Sequence, residues 1–207
     1  AFLWIIRRLM QITLASASPT RARLLRQVGI DHQIMPARVD EDAVLRAAMS
    51  GPDPLRPRDL ADLLAEAKAR KVAGRGAPGL VLGSDQILAL AGEVIAPPAD
   101  RNAAADQLHR LQGATHNLYS AAVIYEDNSP VWRAVGEARM TMHSLSASQI
   151  EAYLDHAWTE VAGSVGAYHA EGFGAQLFSR IDGDWYSVLG LPLLQVMSFL
   201  RLRGWPS

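Results

Sequence analysis

Polar side chains follow two apolar, strand-like runs of the chain, near the point where each run ends. Asp85 and Gln86 come shortly after residues 80–83, and a cluster at residues 16–21 follows residues 11–15. Ligands of open α/β sheets gather beyond the carboxyl ends of the strands. Asp85 is therefore the first candidate for a catalytic residue, and the second cluster is a candidate for ligand binding.

The cluster at residues 16–21 contains the groups that an anion site needs. Ser16 and Ser18 supply hydroxyls, and Arg21 supplies a guanidinium. Ser18 followed by Pro19 predicts the capped start of a helix, whose first-turn amides are free to bind an anion. Together these groups match a polyphosphate. The alternative is an ordinary capped helix.

Two acids are candidates for a metal-binding pair. A pair of carboxylates can hold a divalent cation, and one of them can also orient or deprotonate an attacking water. We assign these roles to Glu41 and Asp85. Glu41 has the alternative of being a solvated loop charge, because acids are mostly exposed.

A further cation lies on a helix predicted over residues 60–73. Apolar residues recur there at helical spacing, which leaves Glu66 and Lys68 off the apolar face and available to a cleft. Lys68 and Arg21 are the preferred phosphate-binding pair, since phosphate is bound by the point charge of Lys and the fork of Arg. The alternative is that Lys68 belongs to a solvated basic face.

Composition limits the function classes. The chain has 207 residues, 49% of them hydrophobic, enough for one large domain or two small lobes. It contains no cysteine, which excludes disulfides and thiolate chemistry and is compatible with a reducing compartment, so a cytoplasmic location is expected. The formal net charge of −1 argues against a nucleic-acid-binding protein.

Several motifs are missing or out of context. The six histidines form no H-E-x-x-H and the chain has no G-x-S-x-G, which argues against a histidine zinc site and a serine hydrolase. Residues 74–79 match G-x-G-x-x-G, but they precede a strand instead of following one, so they predict a turn.

Elsewhere, strand and helix patterns are interleaved, which predicts a mixed α/β fold. Besides the elements above, strands are predicted at residues 31–36, 93–95, 118–125, 131–142, 175–180 and 185–188, the last two around a turn at residues 182–183. Helices are predicted at residues 101–111, 146–155 and 191–202, and residues 42–57 are predicted to be an irregular loop.

A glycine-rich segment at residues 163–174 predicts backbone lying close to a ligand. Within it, Glu171 is an acceptor able to receive the N–H donors of a base. The alternative is a turn-rich hairpin.

The chain start is apolar and basic at residues 1–10, but the apolar run is too short to span a bilayer. We predict no membrane anchor. Residues 1–9 are interpreted as an N-terminal extension whose origin, native or not, stays open, and residues 10–207 as a single domain.

Taken together, six motifs resemble the Maf family of nucleoside triphosphate pyrophosphatases. They are LASASPTRARLL at 14–25, VDE at 39–41, A-x-x-K-A at 65–69, GSDQ at 83–86, AYHAEGFGAQLF at 167–178 and VLGLPL at 188–193. The resemblance implies an elongated, ITPase-like α/β fold with a mixed sheet and two lobes around a deep nucleotide cleft. It also implies a homodimer and Mg- or Mn-dependent hydrolysis of a nucleoside triphosphate to the monophosphate and pyrophosphate.

The family's functional residues fall on positions already selected. The resemblance places phosphate binding on Ser16, Ser18, Arg21 and Lys68, and it places metal binding and water activation on Glu41 and Asp85.

Base specificity is expected at three positions that vary within the family, namely Thr20, Gln86 and Glu171. Gln86 and Glu171 resemble the branch that acts on 7-methyl-GTP, whereas the dTTP/UTP branch has Thr and Gln there. Thr20 matches neither branch, because the methylated-guanine branch carries Trp at that position. The preferred base therefore stays open.

A second departure lies at Pro97, which aligns with a phosphate-binding lysine of the family. Proline has neither charge nor N–H. The alternative function is therefore a catalytically weakened nucleotide-binding regulator of cell division or septum formation. Compensation by another cation, such as Arg101, is left open.

Overall fold

The computed structural model describes residues 11–205, so the predicted N-terminal extension at residues 1–9 lies outside the described residues. The described chain is built around one seven-stranded mixed sheet with the order β2-β1-β3-β5-β6-β7, in which β4 pairs with β3. The strands are β1 (Ile12–Leu14), β2 (His32–Ile34), β3 (Leu80–Leu90), β4 (Glu93–Ile95), β5 (Thr115–Glu126), β6 (Ser129–Met142) and β7 (Phe178–Gly183). The predicted mixed α/β class is confirmed.

Seven α-helices accompany the sheet within residues 11–205. They are α1 (Pro19–Gln27), α2 (Glu41–Met49), α3 (Pro57–Ala73), α4 (Arg101–Leu111), α5 (Ala147–Val161), α6 (Trp185–Val188) and α7 (Leu193–Leu202). None of the described helices combines the length and apolarity needed to cross a membrane.

The parallel part of the sheet ends beside Asp85, although β3 itself does not end there. The short strand β1 runs parallel to β3 only as far as the pair Leu14–Leu82. Strand β3 continues to Leu90 because antiparallel β5 pairs with both halves of it, including the pair Asp85–Ala121. The prediction that a strand ends just before Asp85 is therefore wrong. Asp85 nevertheless lies beyond the carboxyl end of β1, the edge at which a ligand is expected.

Most of helix α2 lies in the region predicted to be a loop at residues 42–57. Asp40 caps it, because its Oδ1 accepts a hydrogen bond of 2.9 Å from the Ala43 amide. Two acids in the first turn complement the helix dipole, and partly buried Val44 and Leu45 pack against the core beside α3. The prolines that suggested a loop all follow the helix.

The predicted final hairpin is also wrong. Residues 182–183 belong to β7 and pair with β6, so they form no turn. Residues 185–188 form helix α6, because the Asp184 side chain accepts from the amides of Tyr186 and Ser187 and caps a helix start. The aromatic and β-branched residues had indicated a strand. Residues 173–177 form a 3₁₀ helix, which delays the start of β7 to Phe178.

Helix α3 packs directly on β3 at Gly83. A Cβ at Gly83 would overlap the Ala65 carbonyl oxygen and lie 2.6 Å from the Ala69 nitrogen, both of them backbone atoms of α3. This close approach brings Lys68 next to Asp85.

We expect Gly83→Ala to destabilise the protein strongly, because the backbone of α3 must move away from the sheet. Overpacking of this kind costs about 1–3 kcal/mol in the free energy of unfolding, or more where backbone must shift. Urea denaturation measures the loss. Gly51→Ala is the matched control, since a Cβ at Gly51 would meet no atom within 4 Å. Equal stability of the two variants would contradict the packing argument.

Candidate active site

A cleft with a cavity of about 360 Å³ opens beside the carboxyl end of β1. This volume lies within the range of small-molecule sites. Its walls come from the start of α1, the start of α2, the middle of β3, the end of β4, the glycine-rich segment and the connection between α6 and α7. Most of the predicted site residues lie on this lining, namely Ser18, Thr20, Arg21, Glu41, Asp85, Gln86 and Glu171.

An ion-pair cluster forms one wall of the cleft. The ammonium of Lys68 lies 2.8 Å from Glu41 Oε1 and 2.9 Å from Asp85 Oδ2. The side chains of Lys68 and Asp85 are 11% and 9% exposed, whereas Glu41 is 47% exposed and faces the opening. Three side chains predicted from separate motifs therefore meet at one point.

Arg21 joins the same cluster from helix α1. Its Nη2 lies 3.9 Å from Asp85 Oδ1, its Nε donates to the Gly190 carbonyl at 2.8 Å, and its Nη1 donates to Ser16 Oγ at 3.1 Å. Burial lowers the pKa of Arg21 from its ordinary value, and the charges of Asp85 and Glu41 oppose that shift. The guanidinium keeps its charge, because arginine does not deprotonate in proteins.

The predicted serines occupy two different positions. Ser18 caps α1, with its Oγ accepting from the Arg21 amide at 3.3 Å, and it lines the cleft. Ser16 is 5% exposed, and its Oγ accepts from the Ser18 amide and from Arg21. Ser16 and Lys68 thus lie behind the residues that line the cleft. Ser16 contacts the lining residue Arg21, and Lys68 contacts the lining residue Asp85.

The side chain of Gln86 lines the cleft and also forms hydrogen bonds within the protein. Its Nε2 donates to Ser120 Oγ at 3.0 Å and lies within 3.1 Å of the carbonyls of Ser187 and Val188. Because this amide nitrogen is engaged, the side-chain oxygen of Gln86 is the atom left to meet a ligand.

Two charged residues considered from the sequence, Arg101 and Glu66, lie outside the cleft. Pro97 lines the cleft, but Arg101 does not: it pairs with Glu151 at 2.8 Å and Asp155 at 2.6 Å on α5. Arg101 therefore does not replace the missing lysine charge. The prediction that Glu66 is available to the cleft is wrong, because the carboxylate of Glu66 instead contacts Tyr125 and Arg133.

Several contacts of the site were not predicted. The Gly190 carbonyl accepts from both Arg21 and Ser84, which ties the Arg21 end of the cleft to the α6–α7 connection. Ser164 and His169, 2.8 Å apart, line the opposite wall. The two contacts of Gly190 join segments more than a hundred residues apart, so no local spacing identifies them.

The donor set at the cluster fits a divalent cation held partly by substrate. Asp85 Oδ2 is buried and meets the Lys68 ammonium at 2.9 Å, but it accepts no well-aligned hydrogen bond from a residue within 11–205. Within residues 11–205 no three acidic or histidine side chains gather as a metal site. Magnesium suits such a place, since it commonly takes one or two carboxylates together with phosphate oxygens.

A buried histidine lies behind the cleft wall. His116 Nε2 and the Tyr168 hydroxyl are 2.7 Å apart, and Tyr168 lines the cleft. Burial lowers the pKa of His116 from 6.5 to about 4. The folded protein therefore keeps His116 neutral at a pH where the unfolded chain binds a proton.

We expect this difference to make the protein less stable in acid. Between pH 6.5 and about pH 4 the unfolded state binds more protons than the folded state. The contribution of His116 to the free energy of unfolding is therefore fully present above pH 6.5 and is lost as the pH falls through this range. The loss attributable to one histidine is up to ~3 kcal/mol. Urea denaturation at several pH values, compared with His116→Gln, measures it. If the free energy of unfolding of His116→Gln falls as steeply with pH as that of the wild-type protein, His116 is not the cause of the acid sensitivity.

Comparison with known proteins adds independent evidence. The Maf-like protein family matches residues 11–203. "Nucleoside triphosphate pyrophosphatase 1" of Jannaschia sp. (strain CCS1) is 60% identical over 94% of this chain and 97% of its own length. "7-methyl-GTP pyrophosphatase" of Mesorhizobium japonicum is 45% identical over 94% of this chain and 96% of its own length.

A solved structure of a nucleoside-triphosphatase / dITP/XTP pyrophosphatase from Mycobacterium abscessus matches more remotely. It covers 64% of this chain and 72% of its own, with a TM-score of 0.34 and 16% identity, too low to carry an argument. The family match and the sequence relatives extend over nearly all of the described residues, and they show that this chain belongs to the Maf-like protein family.

Proposed function

We propose that the protein hydrolyses a nucleoside triphosphate to the monophosphate and pyrophosphate. The observation that carries this proposal is the convergence of Asp85, Glu41, Lys68 and Arg21 at one end of a cleft of nucleotide-compatible volume. The names of the relatives, nucleoside triphosphate pyrophosphatase in most cases, support the same reaction.

The phosphates would bind at the start of α1. The helix N-terminus and Ser18 offer hydrogen-bond donors, and Arg21 and Lys68 offer positive charge, with Ser16 holding the Arg21 fork in place. Such fixed donors stabilise the negative charge that develops as the bond to pyrophosphate breaks.

Asp85 is the proposed catalytic residue. Its carboxylate would accept a proton from a water that attacks the α-phosphorus, while the bond between that phosphorus and the bridging oxygen breaks and pyrophosphate leaves. Glu41 and Asp85 are the proposed ligands of Mg²⁺ or Mn²⁺. When bound, such an ion would offset charge on the triphosphate.

The base would lie against Thr20, Gln86 and Glu171, which line the cleft. Gln86 and Glu171 resemble the 7-methyl-GTP branch, and the relative from Mesorhizobium japonicum bears that substrate in its name. Glu171 suits a base with N–H donors, such as guanine or 7-methylguanine, because a carboxylate accepts hydrogen bonds only.

The remaining proposals rest on the resemblance and the composition. We propose that residues 10–207 form one domain and that the protein forms a homodimer. We also propose a cytoplasmic location, which is compatible with the absence of cysteine. The net charge of −1 supports a small-molecule partner rather than nucleic acid or a membrane surface.

The second candidate is a nucleotide-binding regulator with weakened turnover. Pro97 favours it, because this residue lines the cleft at the position where the family has a cation. This candidate predicts that nucleotides raise the melting temperature without being hydrolysed.

A substrate panel tests the proposed function. GTP, 7-methyl-GTP, dTTP and UTP are each incubated with the protein and magnesium or manganese, and released pyrophosphate is measured. The proposed reaction predicts pyrophosphate together with the monophosphate. Release of orthophosphate would exclude this mechanism, and binding without release would favour the regulator.

A further inference from the structure

An ion pair bridges the two sides of the cleft away from the phosphate end. Arg23 Nη2, on helix α1, donates to Glu171 Oε1 of the glycine-rich segment at 3.0 Å. The two residues are 148 positions apart in sequence. The pair therefore connects the helix that begins at the phosphate site to the segment expected to bind the base.

The position of Arg23 on its helix puts it beside the base region. Thr20 and Arg23 are three residues apart on α1, a spacing that places both on one side of a helix. Thr20 lines the cleft, and the Arg23 side chain is 48% exposed, so Arg23 lies at the rim. The side chain of its partner Glu171 is 25% exposed and lines the cleft.

The contact leaves part of the Glu171 carboxylate for a ligand. Arg23 bonds only Oε1, and Oε2 receives no hydrogen bond from any residue within 11–205. The positive charge of the Arg23 guanidinium also offsets the negative charge of the Glu171 carboxylate, so the pair has little net charge. A neutral base with N–H donors needs only the acceptor, whereas a base with a fixed positive charge gains from an unbalanced carboxylate.

We propose that Arg23 sets the charge preference of the base site. By balancing Glu171, it favours neutral guanine over 7-methylguanine, whose N7 methylation places a positive charge on the ring. This inference rests on the proposed function, in which Glu171 accepts hydrogen bonds from the base. It assigns a specificity role to a residue that lies within the motif at 14–25 but was not among the candidate site residues.

The test compares kcat/KM for 7-methyl-GTP with kcat/KM for GTP. Arg23→Gln removes the charge while keeping a polar side chain, and we expect the ratio to rise about fivefold in favour of 7-methyl-GTP, as for loss of a partly exposed ion pair. Arg23→Lys is expected to keep the original ratio. Arg26→Gln is the matched control, because it removes an exposed arginine of the same helix that makes no ion pair with a described residue.

A double variant shows whether the effect of Arg23→Gln depends on the Glu171 carboxylate. With Glu171→Gln already present, Arg23→Gln is expected to leave the ratio unchanged. A ratio within twofold of wild type in the Arg23→Gln single variant would overturn the inference, and so would an equal shift in Arg26→Gln or in the Glu171→Gln background.

The inference and the proposed function fail in different ways. If the wild-type protein releases no pyrophosphate from any nucleotide, the proposed function is wrong. The charge preference is then measured by calorimetry as the ratio of the Kd values for 7-methyl-GTP and GTP. A ratio unchanged by Arg23→Gln in that measurement would overturn the inference independently.

Discussion

Replacement of Asp85 by Asn is expected to reduce pyrophosphate release by about a thousandfold, the scale of losing a positioned general base. The amide has nearly the same shape as the carboxylate, but it cannot accept the proton of the attacking water. It also carries no charge to hold Lys68, at 2.9 Å, or Arg21, at 3.9 Å. The measurement is kcat with a saturating nucleotide and metal.

The fold must be shown to survive the Asp85 change. Asp85 is 6% exposed, and removing one partner of a buried ion pair destabilises a protein. Circular dichroism and the melting temperature therefore accompany the rate measurement. Asp106→Asn, an exposed position on α4, removes an acid outside the cleft and is expected to keep full activity. A folded Asp85→Asn protein with near-normal kcat would contradict the assignment of the base.

The second large effect is expected from Lys68→Met. Loss of this ammonium removes a cation from the proposed phosphate site, and a single electrostatic donor of this kind is worth about a hundredfold or more in kcat. The same change removes the positive charge that lies between Glu41, at 2.8 Å, and Asp85, at 2.9 Å. The two carboxylates are then free to bind a divalent cation.

Lys68→Met is therefore predicted to slow hydrolysis while tightening metal binding. Calorimetric titration with Mg²⁺, without nucleotide, measures the second effect separately from the first. Arg70→Met is the matched control, because it removes an exposed cation of the same helix. Unchanged or weaker Mg²⁺ binding in Lys68→Met would show that Glu41 and Asp85 do not hold the metal together.

The parts of the site that sequence predicts are those with a local signature. Ser18 followed by Pro19 marks a helix start, and Ser18 does cap α1. The prediction that Lys68 lies off the apolar face is wrong, because Lys68 is buried beside Leu64 on the packed side of α3, although its ammonium does meet the acids. The related prediction that Glu66 is available to the cleft is also wrong. Periodicity gives the side of a helix, but the neighbour on that side depends on tertiary packing.

The features that sequence did not predict depend on distant contacts or on competing signals. Strand β3 continues past Asp85 because β5 pairs with it, and nothing within residues 80–86 shows that partner. Helix α6 forms because one cap, Asp184, outweighs a strand-like composition. The Arg23–Glu171 pair and the Gly190 carbonyl bring together segments more than a hundred residues apart.

The Gly190 contacts also show how distant segments hold the proposed phosphate site in place. The Gly190 carbonyl accepts from Arg21 Nε at 2.8 Å and from Ser84 Oγ at 3.1 Å, one residue before Asp85. The α6–α7 connection thus fixes a proposed phosphate ligand and the strand of the proposed base relative to each other. Such preorganisation is what electrostatic stabilisation of a transition state requires.

The most direct test of the proposed reaction is to run it in water enriched in ¹⁸O and to determine which product carries the label. Attack of water on the α-phosphorus predicts one ¹⁸O atom in the nucleoside monophosphate and none in the pyrophosphate, as read by mass spectrometry or ³¹P NMR. Label in pyrophosphate, or release of labelled orthophosphate, would place the attack on a different phosphorus and contradict the proposed mechanism.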